Sequence, residues 1–474
     1  MDRQAAAVQS FGSTEAHNAL VGNQFSGQTI ITFQGRFDCL RSLAFREINA
    51  RRHDILPAHP ETCDWLFDTL EFRQWMDPAC LKDHNGVFWI KGKPGAGKST
   101  LMKHAFQYFQ QPAVLSDYLL ISYFFNARGE TLEKTPLGLL RSIVHQILLT
   151  DSAMYKHFRP FYLTASVNKE WQWRQSELQE FIRWALTQQH LSKPFLLFID
   201  ALDECNESDV RDVVKFLELL STYASRANVL LKICLSSRHY PSITMYRVVE
   251  LTVENSGDHK GDISRYIDDT LRVSDADMKS EIRRKADGIF LWVVIAVSLL
   301  NKAYDEGQVE AMRTTLEKVP ADLEKMFSAI LRKDMSNAAE TVRMLQWVLF
   351  SLRPLTPQEL FAAVVGIALP ADDLIRRRIT NSSKGLIEIR KGNADSEQST
   401  DTLQGLADAQ EENTDSVQFI HLSVRDFLFR YKRLQILDAN LGSEPFATIH
   451  GRLWDRCWSS IQEAVTTSTY EEQV

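Results

Sequence analysis

Apolar positions along the 474 residues follow two different rhythms. From Val87 to about Val253, short β-rich runs alternate with stretches whose apolar residues recur three and four apart, the pattern of a parallel sheet covered by helices. The runs predict strands at Val87–Ile90, Leu119–Phe125, Phe195–Ile199, Val229–Leu235 and Arg247–Val253. Thr135 followed by Pro136 supplies an N-cap and first helical residue for a helix through Leu139, Leu140, Ile143 and Ile147. Ahead of the sheet, helical spacing starts near Phe37 with Leu40, Leu43, Ala44 and Ile48. A second amphipathic stretch, Thr62 to Trp75, carries Trp65, Leu66, Leu70 and Phe72 on or near one face.

After Gly261 the rhythm is helical, with predicted segments Ile263–Leu271, Ile282–Leu300 and Leu323–Leu331. Leu345–Leu352 is followed by Thr356, Pro357 and Glu359, a capping box with proline at the first helical position. Two β-like runs, Leu386–Ile389 and Val417–His421, flank an acidic Ser/Thr/Gln-rich loop at 391–416, so helix, helix and a two-stranded wing predict a winged helix. The expected organisation is a flexible arm (1–36), a helical lead-in (37–85), a P-loop NTPase domain (86–258), a helical domain (259–335), a winged helix (336–435) and a C-terminal helical segment (436–474). The fold class is α/β, a parallel sheet with helices on both faces followed by helical and winged-helix domains.

Composition narrows the function classes. With 44% hydrophobic and 10% aromatic residues the chain can bury substantial cores. A net charge of −7 offers no broad cationic surface, which argues against nucleic acid as the main ligand. Six scattered cysteines without a CxxC pair indicate neither a zinc site nor a disulfide framework and point to a reducing, cytoplasmic setting. The N-terminus lacks a signal-peptide pattern. The strongest apolar run, Ile289 to Leu300, falls short of the ~20 residues a membrane span needs and reads as a buried helix.

The chemistry concentrates at Gly92-Lys93-Pro94-Gly95-Ala96-Gly97-Lys98-Ser99, a full GxxxxGK[ST] match between a predicted strand and a predicted helix from Ser99 to Tyr108. Glycines at 92, 95 and 97 allow positive φ, so that consecutive amides of the loop (Ala96 and Thr100 included) converge on a β-phosphate at a helix N-terminus. Lys98 would reach the β- and γ-phosphates and Ser99 would coordinate magnesium. Downstream, the apolar run Phe195–Ile199 ends in Asp200, a second magnesium candidate, and Asp203 and Glu204 follow as candidates to orient or deprotonate water. Arg238 ends another strand, where it either touches the γ-phosphate or pairs with a surface carboxylate. Asn301-Lys302-Ala303-Tyr304-Asp305 has one residue too many for a guanine-reading NKxD signal, so ATP/ADP is the expected nucleotide without excluding GTP.

Ile90–Met102, Phe198–Cys205 and Ser236–Arg238, supported by Phe125–Gly129, Gly288–Val293 and Phe419–Leu428, resemble the NACHT proteins of the STAND signalling NTPases, most closely the fungal, heterokaryon-incompatibility type. The resemblance implies a switch, closed with ADP and oligomeric with ATP. It also implies a role for His421 at the β-phosphate of ADP, and a place for Ala201 where many relatives have Gly. Fungal relatives sometimes carry an amyloid signalling motif near residues 18–33, a stretch rich here in β-branched, aromatic and amide side chains without net charge. A downstream effector would then meet the arm. A metabolic P-loop kinase and a nucleotide-stabilised scaffold are the competing readings.

Overall fold

The structure is a computed structural model that describes residues 27–45, 48–115, 118–166, 172–187, 193–239, 244–332, 338–366, 370–390 and 415–430, with scattered positions from 433 to 444 and the segment 445–471. It divides into two compact units: Met1–Ala58, Cys63–Lys91 and Lys98–Leu251 form one, and His59–Thr62, Gly92–Gly97 and Thr252–Val474 form the other.

In the first unit a five-stranded sheet has the order β2-β3-β4-β1-β5, with β1 at Val87–Lys91, β2 at Leu119–Phe124, β3 at Phe195–Asp200, β4 at Leu231–Ser237 and β5 at Val249–Thr252. The pairs β1/β4, β3/β4 and β2/β3 are parallel. The strand before the glycine loop and the acidic strand are therefore separated by β4. Period-two alternation assigns the two faces. Val87, Trp89, Ile121, Leu197, Ile199, Ile233 and Leu235 enter the core built with the helices at Gly27–Leu43, Pro136–Thr150 and Gln175–Thr187. Phe88, Phe198 and Cys234 turn the other way, Phe88 against Phe72, Phe198 against Phe106 and Phe109, Cys234 against Met102.

Several expectations shift by a few residues. The first helix begins at Gly27, inside the stretch read as a flexible arm, so 27–33 of the proposed amyloid segment is helical and 18–26 lies outside the described residues. The amphipathic stretch from Thr62 breaks at Thr69, whose side chain accepts the Phe72 N–H and starts a new helix at Leu70–Met76. That break turns Leu70 to solvent while Leu66, Phe72 and Trp75 stay buried. Thr135 occupies the N-cap with Pro136 behind it, but its hydroxyl makes no capping bond.

The second unit is helical with a small antiparallel pair. The continuous pattern Ile282–Leu300 resolves into two helices, Ala276–Ala286 and Phe290–Asp305, because Asp287 and Gly288 both take positive φ. Trp292 and Val293 are fully buried, as the core reading requires. The capping box at Thr356 and Glu359 forms in both directions. Helices Ala338–Phe350, Pro357–Val364 and Asp372–Ser382 precede β6 (Ile387–Arg390) and β7 (Ser416–Phe419), which pair antiparallel. The helix at Asp372–Ser382 is absent from the sequence reading, since among its strongly polar residues Ile375 and Ile379 are the apolar ones turned fully inward. The loop read at 391–416 lies outside the described residues up to 414. Among the described residues no helix is long and apolar enough to cross a membrane.

Candidate functional site

The helix after the glycine loop starts at Lys98 and runs to Gln110, so Lys98, Ser99 and Thr100 lie in its first turn, where amides lack helical acceptors and the dipole favours anions. The Ser99 hydroxyl helps to keep the carboxylate of Asp200, the last residue of β3, in its charged form. Asp200 is fully buried. Its Oδ1 accepts from Ser236 Oγ at 2.5 Å, and Ser236 Oγ accepts the Ala201 N–H at 2.8 Å. Its Oδ2 has no hydrogen-bond partner among the described residues. Desolvation raises the Asp200 pKa above the ordinary aspartate value, opposed by the hydroxyls of Ser236 and Ser99 and by the charge of Arg51.

A buried carboxylate oxygen left without a donor, beside a hydroxyl, fits magnesium. That ion takes one or two protein oxygens and completes its shell with phosphates and water. Ser99 and Asp200 are the residues that would hold it.

The two following carboxylates are each engaged. Asp203 accepts the Arg238 N–H at 2.9 Å and pairs with Arg238 Nε at 2.9 Å. Arg238 therefore meets a carboxylate, as one reading of its spacing foresaw, but a buried one: the Asp203 side chain is 8% exposed. Desolvation raises the Asp203 pKa, and the charges of Arg238 and Lys98 oppose it. Glu204 accepts the Ala127 N–H at 3.0 Å and faces Arg51 at 3.7 Å. The intervening turn explains the preference for glycine at position 201 that the resemblance carries. Ala201 sits at φ 54° and ψ 48°, left-handed backbone in which a Cβ costs about 1–2 kcal/mol.

The loop Gly92–Gly97 has its own supports in the second unit. Gly95 and Gly97 take φ of +77° and +94°, as expected. Gly92 does not; its glycine is required by proximity, because a Cβ there would lie 2.7 Å from Glu254 Oε2. Glu254 accepts the Lys93 N–H at 3.1 Å, Lys93 Nζ reaches Asp287 at 2.6 Å, and the Leu291 N–H donates to the Gly95 carbonyl at 3.0 Å. A side chain at Gly95 would meet Leu291 Cβ at 2.9 Å.

His421 caps the helix Leu422–Phe429, its Nδ1 accepting the Ser423 N–H at 3.0 Å and lying 2.8 Å from Ser423 Oγ. That bond requires an unprotonated Nδ1, which leaves Nε2 as the protonated nitrogen of the neutral ring. Asn301 and Asp305 are structural, donating to the Thr270 carbonyl and pairing with Arg272 respectively. Pro94 and Ala96 belong to the loop, with the Ala96 N–H donating to the Lys93 carbonyl at 3.2 Å.

Sequence reading missed three participants. Ser236 shares β4 with two other polar residues, Lys232 and Ser237, so its polarity alone did not single it out. Glu254 and Arg51 lie 162 residues after and 41 residues before Gly92 (254 − 92 and 92 − 51), so no local pattern ties them to the loop.

The sequence model of one family, described as Nephrocystin 3, N-terminal, matches residues 61–238, a span that contains the glycine loop, the acidic strand and Arg238. No curated protein matches the chain. Among solved structures, the Walker-type ATPase of Pyrococcus abyssi is 16% identical, covering 80% of this chain and 99% of its own, with a TM-score of 0.33. The Cdc6 protein of Pyrobaculum aerophilum is 11% identical over 83% of this chain and 98% of its own, also at 0.33. The ORC1 protein of Aeropyrum pernix, solved in complex with DNA, is 13% identical over 83% and 94%, again at 0.33. The strand order, the glycine loop and the acidic strand make the chain a P-loop NTPase in fold.

Proposed function

We propose that this chain is a nucleotide-dependent switch that binds ATP or ADP with magnesium, hydrolyses ATP slowly and self-associates when the triphosphate is bound. The observation that carries the reading is the buried Asp200 Oδ2, which has no hydrogen-bond partner among the described residues, on a carboxylate that the Ser99 hydroxyl at the first turn of the loop's helix helps to keep charged. When bound there, magnesium would neutralise charge on the phosphates. Lys98 would bind the β- and γ-phosphate oxygens. Hydrolysis adds a water oxygen to the γ-phosphorus, breaks its bond to the ADP oxygen and sends the water proton to a nearby base.

Both candidate bases are held by cations, Asp203 by Arg238 and Glu204 by Arg51. A carboxylate engaged by a cation must be released before it can take a proton from water, which supports slow turnover and hence a switch over a metabolic kinase. His421 would, as the resemblance to NACHT proteins implies, contact the β-phosphate of ADP and favour the closed state. The incompatibility or cell-death context, and an effector reached through the N-terminal residues, belong to the same reading through the resemblance to NACHT proteins.

Calorimetric titration with Mg·ADP and with a non-hydrolysable ATP analogue, each followed by light-scattering mass, tests it. Both ligands bind the parent and the analogue raises the mass, while Lys98→Ala weakens both by about a hundredfold or more, since a charge-assisted contact to a multiply charged phosphate is lost. Unaltered affinity in Lys98→Ala removes the proposal.

A further inference from the structure

Two adjacent arginines in the short helix Ala50–Asp54 are used differently. Arg52 is committed to structure: its Nη1 donates to Ser122 Oγ at 2.7 Å and its guanidinium lies 4.6 Å from the Phe106 ring centre. Arg51 is equally withdrawn from water, with an 11% exposed side chain, yet it is poorly matched by the protein around it. Its approach to Glu204 is loose, 3.7 Å, and its buried Nε has no hydrogen-bond partner among the described residues. Its charge also acts on Asp200.

A planar guanidinium carries five donors in a fixed fork suited to phosphate oxygens. Here Nη2 of that fork lies 3.7 Å from Glu204 and its charge acts on Asp200, two of the three carboxylates at and just after the carboxyl end of β3, while Lys98 and Arg238 act on the third, Asp203. We propose that Arg51 is a further catalytic residue of the nucleotide site. With triphosphate bound, it leaves Glu204, contacts the terminal phosphate and frees that carboxylate to accept the water proton. The inference rests on the nucleotide-switch reading above and assigns its γ-phosphate contact to the lead-in helix. One movement would then couple recognition of the third phosphate to activation of the base, and ADP, lacking that phosphate, would leave the Arg51–Glu204 pair closed.

The experiment compares Mg·ADP with a magnesium-loaded non-hydrolysable ATP analogue by calorimetry, and ATP turnover, in the full-length parent, Arg51→Ala, Arg51→Lys and Lys98→Ala. Arg51→Ala is expected to weaken analogue binding about tenfold or more and to leave ADP within about twofold, with hydrolysis reduced by a factor on the order of a hundred to a thousand. Arg51→Lys keeps the charge without the fork, preserves folding and recovers part of the preference for the triphosphate. Equal loss for both nucleotides in either variant, or an unchanged ratio, assigns Arg51 to structure and overturns the inference while nucleotide binding stands. If the parent binds neither nucleotide, or Lys98→Ala binds both as the parent does, the underlying reading falls as well.

Discussion

The two ends of the central sheet each bury a charge, and they treat it in opposite ways. At the amino-terminal part of β4, Lys232 is 1% exposed, donates to the Trp75 carbonyl at 2.6 Å and lies 5.6 Å from the Trp75 ring centre. At the carboxyl end of β3, Asp200 is 0% exposed and keeps an oxygen with no partner. Burial penalises both charges, lowering the Lys232 pKa to about 8 and raising that of Asp200. Lys232 fastens the segment Leu70–Met76 to the sheet. Asp200 retains binding capacity. Burial alone therefore does not separate the two charges; the unpartnered oxygen of Asp200 does, and the proposed magnesium site rests on it.

The sharpest way to break this contrast is Asp200→Asn, which keeps the shape and removes the charge. ATP turnover is expected to fall about a hundredfold or more, roughly 2.7 kcal/mol in the barrier, with little change in melting temperature. A steady-state phosphate-release assay beside a thermal melt checks this, and a large stability loss with turnover intact would class Asp200 with Lys232.

A smaller effect is expected from Ser236→Ala, which deletes the donor to Asp200 Oδ1 and the acceptor of the Ala201 N–H. With one stabilising bond gone, the carboxylate pKa rises further and magnesium affinity in the nucleotide complex drops about tenfold, or ~1.4 kcal/mol. Titration of magnesium into the ADP complex measures it.

Lys232→Met should change stability without changing nucleotide affinity. The unfolded lysine takes up its proton near pH 10.5, the folded one only near 8. Folded protein thus binds fewer protons between those values, and the lysine contribution to stability rises with pH across that window. The Met variant lacks this dependence, so its stability relative to the parent is highest at and below pH 8 and declines toward pH 10. Urea unfolding of both proteins at pH 7.5, 9 and 10 gives the difference. Comparing variants also cancels the buried thiols Cys39 and Cys205, which burial pushes up to about 12.

What the sequence revealed divides along the same physical line. The strands and the glycine loop were legible because their signal is local: an apolar run ending in Asp200, three glycines before Lys98, a capping box at Thr356. The break at Asp287 and Gly288 was not, since apolar residues continue on both sides and the interruption lies in two positive φ angles. The start of the first helix at Gly27 was hidden by residues of low helix propensity, Gly27 itself and the β-branched run Thr29 to Thr32. Arg51 was hidden because its role depends on facing Glu204 across 153 residues (204 − 51), a contact no periodicity encodes.

Glu254 adds a constraint in time. The Lys93 amide and its acceptor are separated by 161 residues. At about 5–20 residues per second of synthesis, the loop exists for roughly 8–32 s before Glu254 has been made, and longer before Leu291 reaches the Gly95 carbonyl. During that interval the glycines lack both supports, and a nascent chain halted before Val253 would carry the complete loop sequence without the bonds that set its shape.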